Sequence, residues 1–529
     1  MSKEDELYIE TPSAIADDSL TLNPLSAADI LSSSSKQDFA SPDLKTGILV
    51  SAIGIGMFMG ALDESIINVS LPTISNYFMV DQLRVQWIVL SYLLVIVGLT
   101  ALAGYLGDRF STKMVFQIGM IIFSIGSLVC ALSNSLPMLV VARIIQGVGA
   151  TGTLANGNAI VTKFTTDEKR GLAIGLTSLI SAMGVVIGPI IGGTISQYLP
   201  WQYIFWINVP IGLVGIIYVQ FGIPATKPSE KAVVKADPVG SIIFALFITL
   251  LILALALFVD PLLNRPILWA IICFSLSTAF FAIFIFWEKK TPHPFIDLTL
   301  FKNKKFSIGI ICALITYISL NSVAFQLPFF LQDMLNYTQI KIGLIIIGVP
   351  IGLAIMAPIS GKLSSTIDSR LLSTIGLGAV LLCLICLATF LSLTMPLWSF
   401  ILIATVVGLA IGLFASPNNN SILSSSPKEK LGIVSGLVSL ARIIGYSIGT
   451  ALSTTIFTFI LQSFQNTNGG ALYDAMNYIP SMRILFGILS AFVVIAVSIS
   501  ALRGPEIRMN QNKDVISMPS EEANPLINK

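Results

Sequence analysis

The chain has 529 residues, of which 54% are apolar and only 11% charged, with a formal net charge of +2. Soluble domains carry roughly 25% charged residues, so a soluble globular protein is excluded, and so is a nucleic-acid binder, which needs a concentrated basic face. What remains is an all-α polytopic membrane protein.

In chain order, residues 1–45 are rich in Ser, Asp and Glu without a sustained apolar run. They read as a disordered tail, not a cleaved signal peptide, because the first apolar run starts too late. A bilayer-crossing helix takes about 20 residues. Six apolar spans of that order follow at roughly 46–68, 86–106, 114–133, 137–160, 171–196 and 203–223, a first bundle over 46–223. Residues 224–305 hold basic linkers, with Lys227, Lys231 and Lys235, and two further spans at roughly 239–259 and 267–287. Six more, at roughly 306–331, 342–361, 371–392, 396–415, 432–461 and 482–502, make a second bundle over 306–505, before a tail at 506–529. About 14 transmembrane helices result: two six-helix bundles plus two inserted helices.

Loop charge orients them by the positive-inside rule. With the N-terminus inside, the inner loops carry Arg109, Lys113, Lys163, Lys169, Arg170, the linker lysines, Lys362, Arg370, Lys428 and Lys430; the outer ones carry Arg84, Arg265, Lys341 and Arg483. Both termini are then cytoplasmic, and the sequon Asn336-Tyr337-Thr338 lies outside, open to glycosylation.

Several intramembrane residues point to mechanism. Asp63 sits well inside the first span, where a charge is costly and acids are usually functional; its protonation can be coupled to conformation. Its neighbour Glu64 fits an interfacial acid near the outer helix end better. Arg143, in the fourth span, needs a partner and should face the bundle interior; Arg442, in the thirteenth, plays a similar part as a second buried cation. A structural cation satisfied by carbonyls is the alternative for both. Asn156, Asn158, Asn321, Gln326 and Asn418 to Asn420 either line a cavity or bond helix to helix.

The fifth span, Gly171 to Gly193, contains no charge. Gly184, Gly188 and Gly192 recur every fourth residue and so share one helix face, which lets another helix approach closely. Pro189 leaves the carbonyl of Val185 without its donor, so a kink is expected. A repeat is visible: Gly171, Gly175, Gly184 and Gly188 recur 261 residues later at Gly432, Gly436, Gly445 and Gly449. At the same offset Gly147 meets Gly408, Asn158 meets Asn419, Glu168 meets Glu429 and Lys169 meets Lys430. Two related halves follow, as in transporters built from parallel repeats.

These stretches resemble motifs of the fourteen-span drug:proton antiporters of the major facilitator superfamily. Ala61 to Val69, ending in Leu71-Pro72, resembles the first-helix motif, whose acid here is Asp63. Gly104-Tyr105-Leu106-Gly107-Asp108-Arg109 with Lys113 resembles the loop between the second and third helices, which in the family forms a charge lock between domains in the outward-open state. Ser111 and Thr112 stand where the family has a glycine and a basic residue. Arg143 to Gly149 resembles the motif of the membrane-buried arginine. Gly175, Gly184, Gly188-Pro189 and Gly192-Gly193 resemble the antiporter signature of the fifth helix. Trp201 to Pro210 resembles the entry to the sixth helix, with Gln202 in place of arginine; aromatics there also suit a membrane interface.

The resemblance covers roughly 46–505 and implies alternating access with Asp63 and Arg143 in proton coupling, Gly104, Asp108, Arg109 and Lys113 in gating, and the fifth-helix glycines in packing. It implies proton-coupled export of a small organic or cationic compound, with the lipid bilayer and the substrate as partners, the proton as coupling ion, no other cofactor, and a monomer. Vacuolar or lysosomal transport of amino acids, basic ones included, is the alternative in the same class; a non-transporting membrane sensor is the alternative in another. No GxxxxGK[ST] motor is present. No enzyme-like arrangement of nucleophile, base and orienter can be read, and Cys383 and Cys386 read as packing residues rather than a metal pair. The C-terminal Glu522 with Leu526-Ile527 resembles an acidic dileucine sorting signal, which leaves the plasma membrane and the vacuolar or lysosomal membrane as destinations.

Overall fold

The computed structural model describes residues 44–224, 237–260, 264–427, 430–468 and 474–504. The N-terminal tail, Lys227, Lys231 and Lys235, Lys428 and Glu429, and the tail residues Glu522, Leu526 and Ile527 lie outside them.

Among the described residues, fourteen helices are long and apolar enough to cross a bilayer. The first bundle holds α1 (Thr46–Phe78), α2 (Gln82–Arg109), α3 (Thr112–Ala131), α4 (Leu136–Phe164), α5 (Glu168–Tyr198) and α6 (Tyr203–Gly222). The inserted pair is α7 (Pro238–Phe258) and α8 (Pro266–Lys290). The second bundle holds α9 (Lys304–Asp333), α10 (Gln339–Leu363), α11 (Ser369–Phe390), α12 (Leu397–Ser424), α13 (Leu431–Thr467) and α14 (Ala475–Ala501). Side chains stop the backbone donors of several helix starts from being orphaned: Ser111 accepts from Met114 N, Ser135 from Met138 N and Asp237 from Gly240 N.

Several helices outrun the apolar windows that signal them. Helix α1 runs on through Asn68, Ser70, Pro72 and Ser75 to Phe78, and α12 through Pro417 and Asn418 to Ser424. Hydropathy registers what lipid touches, whereas these polar residues are turned inward or bonded back to their own helix. Ser70 donates to Ile66 O, and buried Asn418 donates to Gly309 O and accepts from Arg503.

The 261-residue repeat has a physical counterpart. Helix α5 packs along α1 as α13 packs along α9, and α4 sits on α2 and α3 as α12 sits on α10 and α11. The glycines make those approaches. A Cβ on Gly184 would stand 2.7 Å from Phe58 O, and one on Gly449 would stand 2.5 Å from Ile318 O. Helices α7 and α8 pack on each other, and α7 also touches α2 and α13 at the seam between bundles.

The bundles join at the end away from the basic loops. There Gln82 Nε2 donates to Tyr478 Oη (3.2 Å) and the Gln339 backbone N–H donates to Gln197 Oε1 (3.0 Å). Gly193 lies against the Gln339 carbonyl, Val69 enters the core of the second bundle, and Phe325 and Phe329 enter that of the first. Exposed Asn336 is also at this end, in the α9–α10 turn, with the left-handed backbone (φ 51°) that Asn tolerates.

Candidate functional site

Asp63 and Arg143 face each other inside the first bundle. They are 2% and 1% exposed, and Arg143 NH1 lies 2.6 Å from Asp63 Oδ2. Asp63 Oδ1 accepts from Gln146 Nε2 (2.8 Å) and Asn208 Nδ2 (2.9 Å). Gln146 also donates to Ser127 Oγ and accepts from Arg143 NH1, while Arg143 Nε donates to the Ile88 carbonyl at 3.0 Å. The guanidinium carbon stands 4.2 Å from the centre of the Tyr92 ring, a cation–π contact. Five helices contribute: Asp63 from α1, Ile88 and Tyr92 from α2, Ser127 from α3, Arg143 and Gln146 from α4, and Asn208 from α6. A buried ion pair repays its desolvation only when its remaining hydrogen-bonding capacity is met, and this one satisfies both carboxylate oxygens.

Arg143 also lines a small cavity between the bundles, with room for about one water. Glu64, Asn68 and Tyr92 line it from the first bundle, and Asn321 and Tyr446 from the second. Asn321 donates to Tyr446 O and Thr450 Oγ1, which fixes it to α13. Glu64 is therefore not an interfacial acid: it stands at the cavity, while its neighbour Asp63 is sealed behind Arg143.

Arg442 departs from the second-buried-cation reading. Its side chain is exposed, and its charge acts on Glu64, Tyr317 and Tyr446. At the 261-residue offset Arg442 aligns with Ser181, whereas Arg143 aligns with Ala404, so the two arginines are not repeat partners.

On α5, Gly184, Gly188 and Gly192 meet α1 at Phe58 O, Ser65 Cβ and Ile66 O, and Gly193 meets α10. The carbonyl that Pro189 releases, Val185 O, accepts the Ser65 hydroxyl at 2.8 Å. Gly175 is not part of this packed face, for nothing lies within 4 Å of where its Cβ would stand. Nine residues at about 100° each put it half a turn away from Gly184.

Among the described residues, Arg109, Asp108 and Lys113 around the α2–α3 loop engage groups of their own bundle. Arg109 donates to Tyr105 Oη at 3.0 Å, exposed Asp108 faces the charge of Lys163, and Lys113 Nζ donates to the Gln220 and Ile223 carbonyls at the end of α6. Gly104 has no neighbour within 4 Å of a Cβ position. Asn156 ties α4 to α2 by donating to Ala103 O, and it also donates back to Gly152 O of its own helix. Trp201 is buried, edge-on to Tyr77, Phe78 and Phe205.

Sequence reasoning passed over Gln146, Asn208, Tyr92 and Tyr446 as members of the site. Gln146 carried a signal: it follows Arg143 by three residues, so the two share a helix face. Tyr92 and Tyr446 carried none, since a tyrosine in an apolar span is ordinary.

Comparison with known proteins agrees with this architecture. The profile of the Major Facilitator Superfamily matches residues 53–450. The riboflavin transporter RibZ of Clostridioides difficile is 34% identical over 78% of this chain and 88% of its own. The multidrug export protein EmrB of Escherichia coli is 29% identical over 78% of this chain and 80% of its own. Among solved structures, a bacterial homologue of the human lysosomal transporter Spinster superposes with a TM-score of 0.62 at 17% identity, over 88% of this chain and 98% of that one. A D-xylose–proton symporter gives 0.60 at 13% identity, over 84% and 96%. With fourteen spans, a repeat that relates its halves and a cavity between them, the chain belongs to the Major Facilitator Superfamily, as a membrane transporter of the fourteen-span branch that includes multidrug exporters.

Proposed function

We propose that this transporter exports a small organic compound in exchange for protons, by alternating access of the cavity between its bundles. The observation that carries the reading is the Asp63–Arg143 pair. Both charges are sealed in the first bundle, yet Arg143 also forms part of the cavity wall. Protonation of Asp63 would cancel the charge that holds Arg143, and the released guanidinium would alter the wall that a substrate touches. Proton and substrate thereby act on one residue, which is the linkage an antiporter needs.

With the basic loops in the cytoplasm, the joined end faces outward and the cavity takes substrate from inside. The loop of Asp108, Arg109 and Lys113 would bridge the bundles only after the cavity reopens on the other side, in keeping with its present contacts within one bundle. The relatives named as multidrug export proteins support drugs as substrates. A second reading, transport of a flat neutral heterocycle, draws on the riboflavin transporter and on the tyrosines Tyr92 and Tyr446 at the cavity. Amino-acid movement across a vacuolar or lysosomal membrane would use the same residues.

Purified protein in liposomes with an imposed pH gradient tests this, with cationic drugs, riboflavin and lysine as solutes. Accumulation that collapses with the gradient is expected for at least one of them. Equal flux with and without the gradient would refute proton coupling.

A further inference from the structure

Two charges in the middle of the membrane have nothing to hold. Glu64 stands half-buried at the cavity with no hydrogen bond or ion pair among the described residues, whereas adjacent Asp63 accepts from three donors. Arg442, from the second bundle, is exposed within a 37-residue span and likewise has no hydrogen-bond or ion-pair partner among the described residues. The two feel each other's charge but do not pair. An unpaired intramembrane charge is costly and is retained where a ligand or ion meets it. Arg143 is not available for that task, being held by Asp63, Gln146 and the Ile88 carbonyl.

Aromatic side chains neighbour both charges. Tyr317 and Tyr446 stand edge to face, 5.7 Å apart at 89°, and both lie within reach of the Arg442 charge. Tyr92 lines the cavity on the Glu64 side. An acid on one bundle, a guanidinium on the other and tyrosines beside each are complementary to one kind of molecule. We propose that Glu64 and Arg442 are the charge-reading residues of the cavity, and that they select compounds bearing a cationic and an anionic group on an aromatic frame. A compound with one charge would leave one of the two residues unpaired. Because the residues belong to different bundles, a ligand that meets both also ties the bundles together across the cavity.

This inference rests on the transport reading above, and its test separates the two. Three xanthene dyes share a frame and differ in charge: rhodamine B (zwitterion), rhodamine 6G (cation) and fluorescein (anion). Their binding to the purified full-length protein is read by fluorescence polarisation. Wild type should bind rhodamine B about tenfold more tightly than either of the others. Glu64→Gln should weaken rhodamine B and rhodamine 6G about tenfold and spare fluorescein; Arg442→Gln should weaken rhodamine B and fluorescein and spare rhodamine 6G. Glu64→Asp and Arg442→Lys should recover most of the lost affinity, which a misfolded variant could not do. Equal weakening of all three dyes, no weakening, or a wild type that binds none of them overturns the assignment. Dye that binds with this pattern but is never moved into or out of liposomes overturns the transport reading and leaves the site standing.

Discussion

Removing one charge of the Asp63–Arg143 pair should do far more damage than removing both. At 2.6 Å and an effective dielectric near 20, the two charges attract by about 6 kcal/mol. Much of that offsets their desolvation, so the pair adds little net stability, but either charge left alone in the bundle is expected to cost about 3–5 kcal/mol. Asp63→Asn cannot repair the loss by geometry. The carboxylate accepts Arg143 on one oxygen and both Gln146 and Asn208 on the other. An amide has one oxygen, so its NH2 must point either at the guanidinium or at two amide donors. Asp63→Asn and Arg143→Gln should therefore each lose about 3–5 kcal/mol in denaturant unfolding in detergent micelles, followed by tryptophan fluorescence, and the double variant should lose less than either. Losses that simply add would refute the pairing. The same three proteins in liposomes address mechanism. The stable double variant should move substrate downhill without responding to a pH gradient; if it concentrates substrate as wild type does, the pair is structural and not the coupling element.

Gly188→Leu should abolish transport while some protein reaches the membrane, because even its Cβ would stand 2.6 Å from Ser65 Cβ; overpacking of this kind costs about 1–3 kcal/mol or more. Gly175→Ala, with nothing within 4 Å, should unfold at or above the wild-type temperature, and a large drop would contradict the register of α5. Ser65→Ala should cost about 0.6 kcal/mol, the average for an interhelical hydrogen bond in a membrane, and nothing in a Pro189→Ala background, where residue 189 again supplies a donor to Val185 O; an equal cost in both backgrounds would refute the account. Outside the spans, burial pushes the Asp297 carboxyl up, but Lys430 at 2.5 Å and Thr299 hold it below the ordinary carboxylate range. A lowered folded value gives stability that is present above the unfolded value and lost only as pH falls through the folded one, below about pH 4. Asp297→Asn should thus leave the shape of the transport–pH profile between about pH 5 and 8 unchanged, and an altered profile would show that this bridge titrates in the working range.

What could be read without coordinates depended on whether a signal was local or relational. Spans and basic loops are local, and the fourteen crossings follow from apolar runs alone. Their ends were read short in α1 and α12, where polar residues such as Asn68 and Asn418 face protein instead of lipid. Asp63 and Arg143 stood out singly because each is a charge in an apolar run, but nothing in the chain says that residues 80 apart meet. The assignment of roles to Asp63 and Glu64 is relational in a different way. The two side chains point about 100° apart, so which one reaches the cavity depends only on how α1 is rotated. That rotation is set by α5. Gly184 sits against Phe58 and Leu62, Gly188 against Ser65 and Gly192 against Ile66, which commits this face of α1 to α5. Relative to Leu62, Asp63 is turned by about 100° into the bundle and Glu64 by about 200°, away from α5 and toward the second bundle. The glycine spacing was legible, and so was the acid pair; joining them required knowing that one helix is the partner of the other. Arg442 shows the converse case. The 261-residue offset already pairs it with Ser181 and pairs Arg143 with Ala404, so its difference from Arg143 was present in the register. The repeat that relates the halves keeps close glycine contacts on both α5 and α13, while the charges break the symmetry: at the same offset Glu64 meets Phe325, Arg143 meets Ala404 and Arg442 meets Ser181, so the acid and the guanidinium that line the cavity belong to the first half alone.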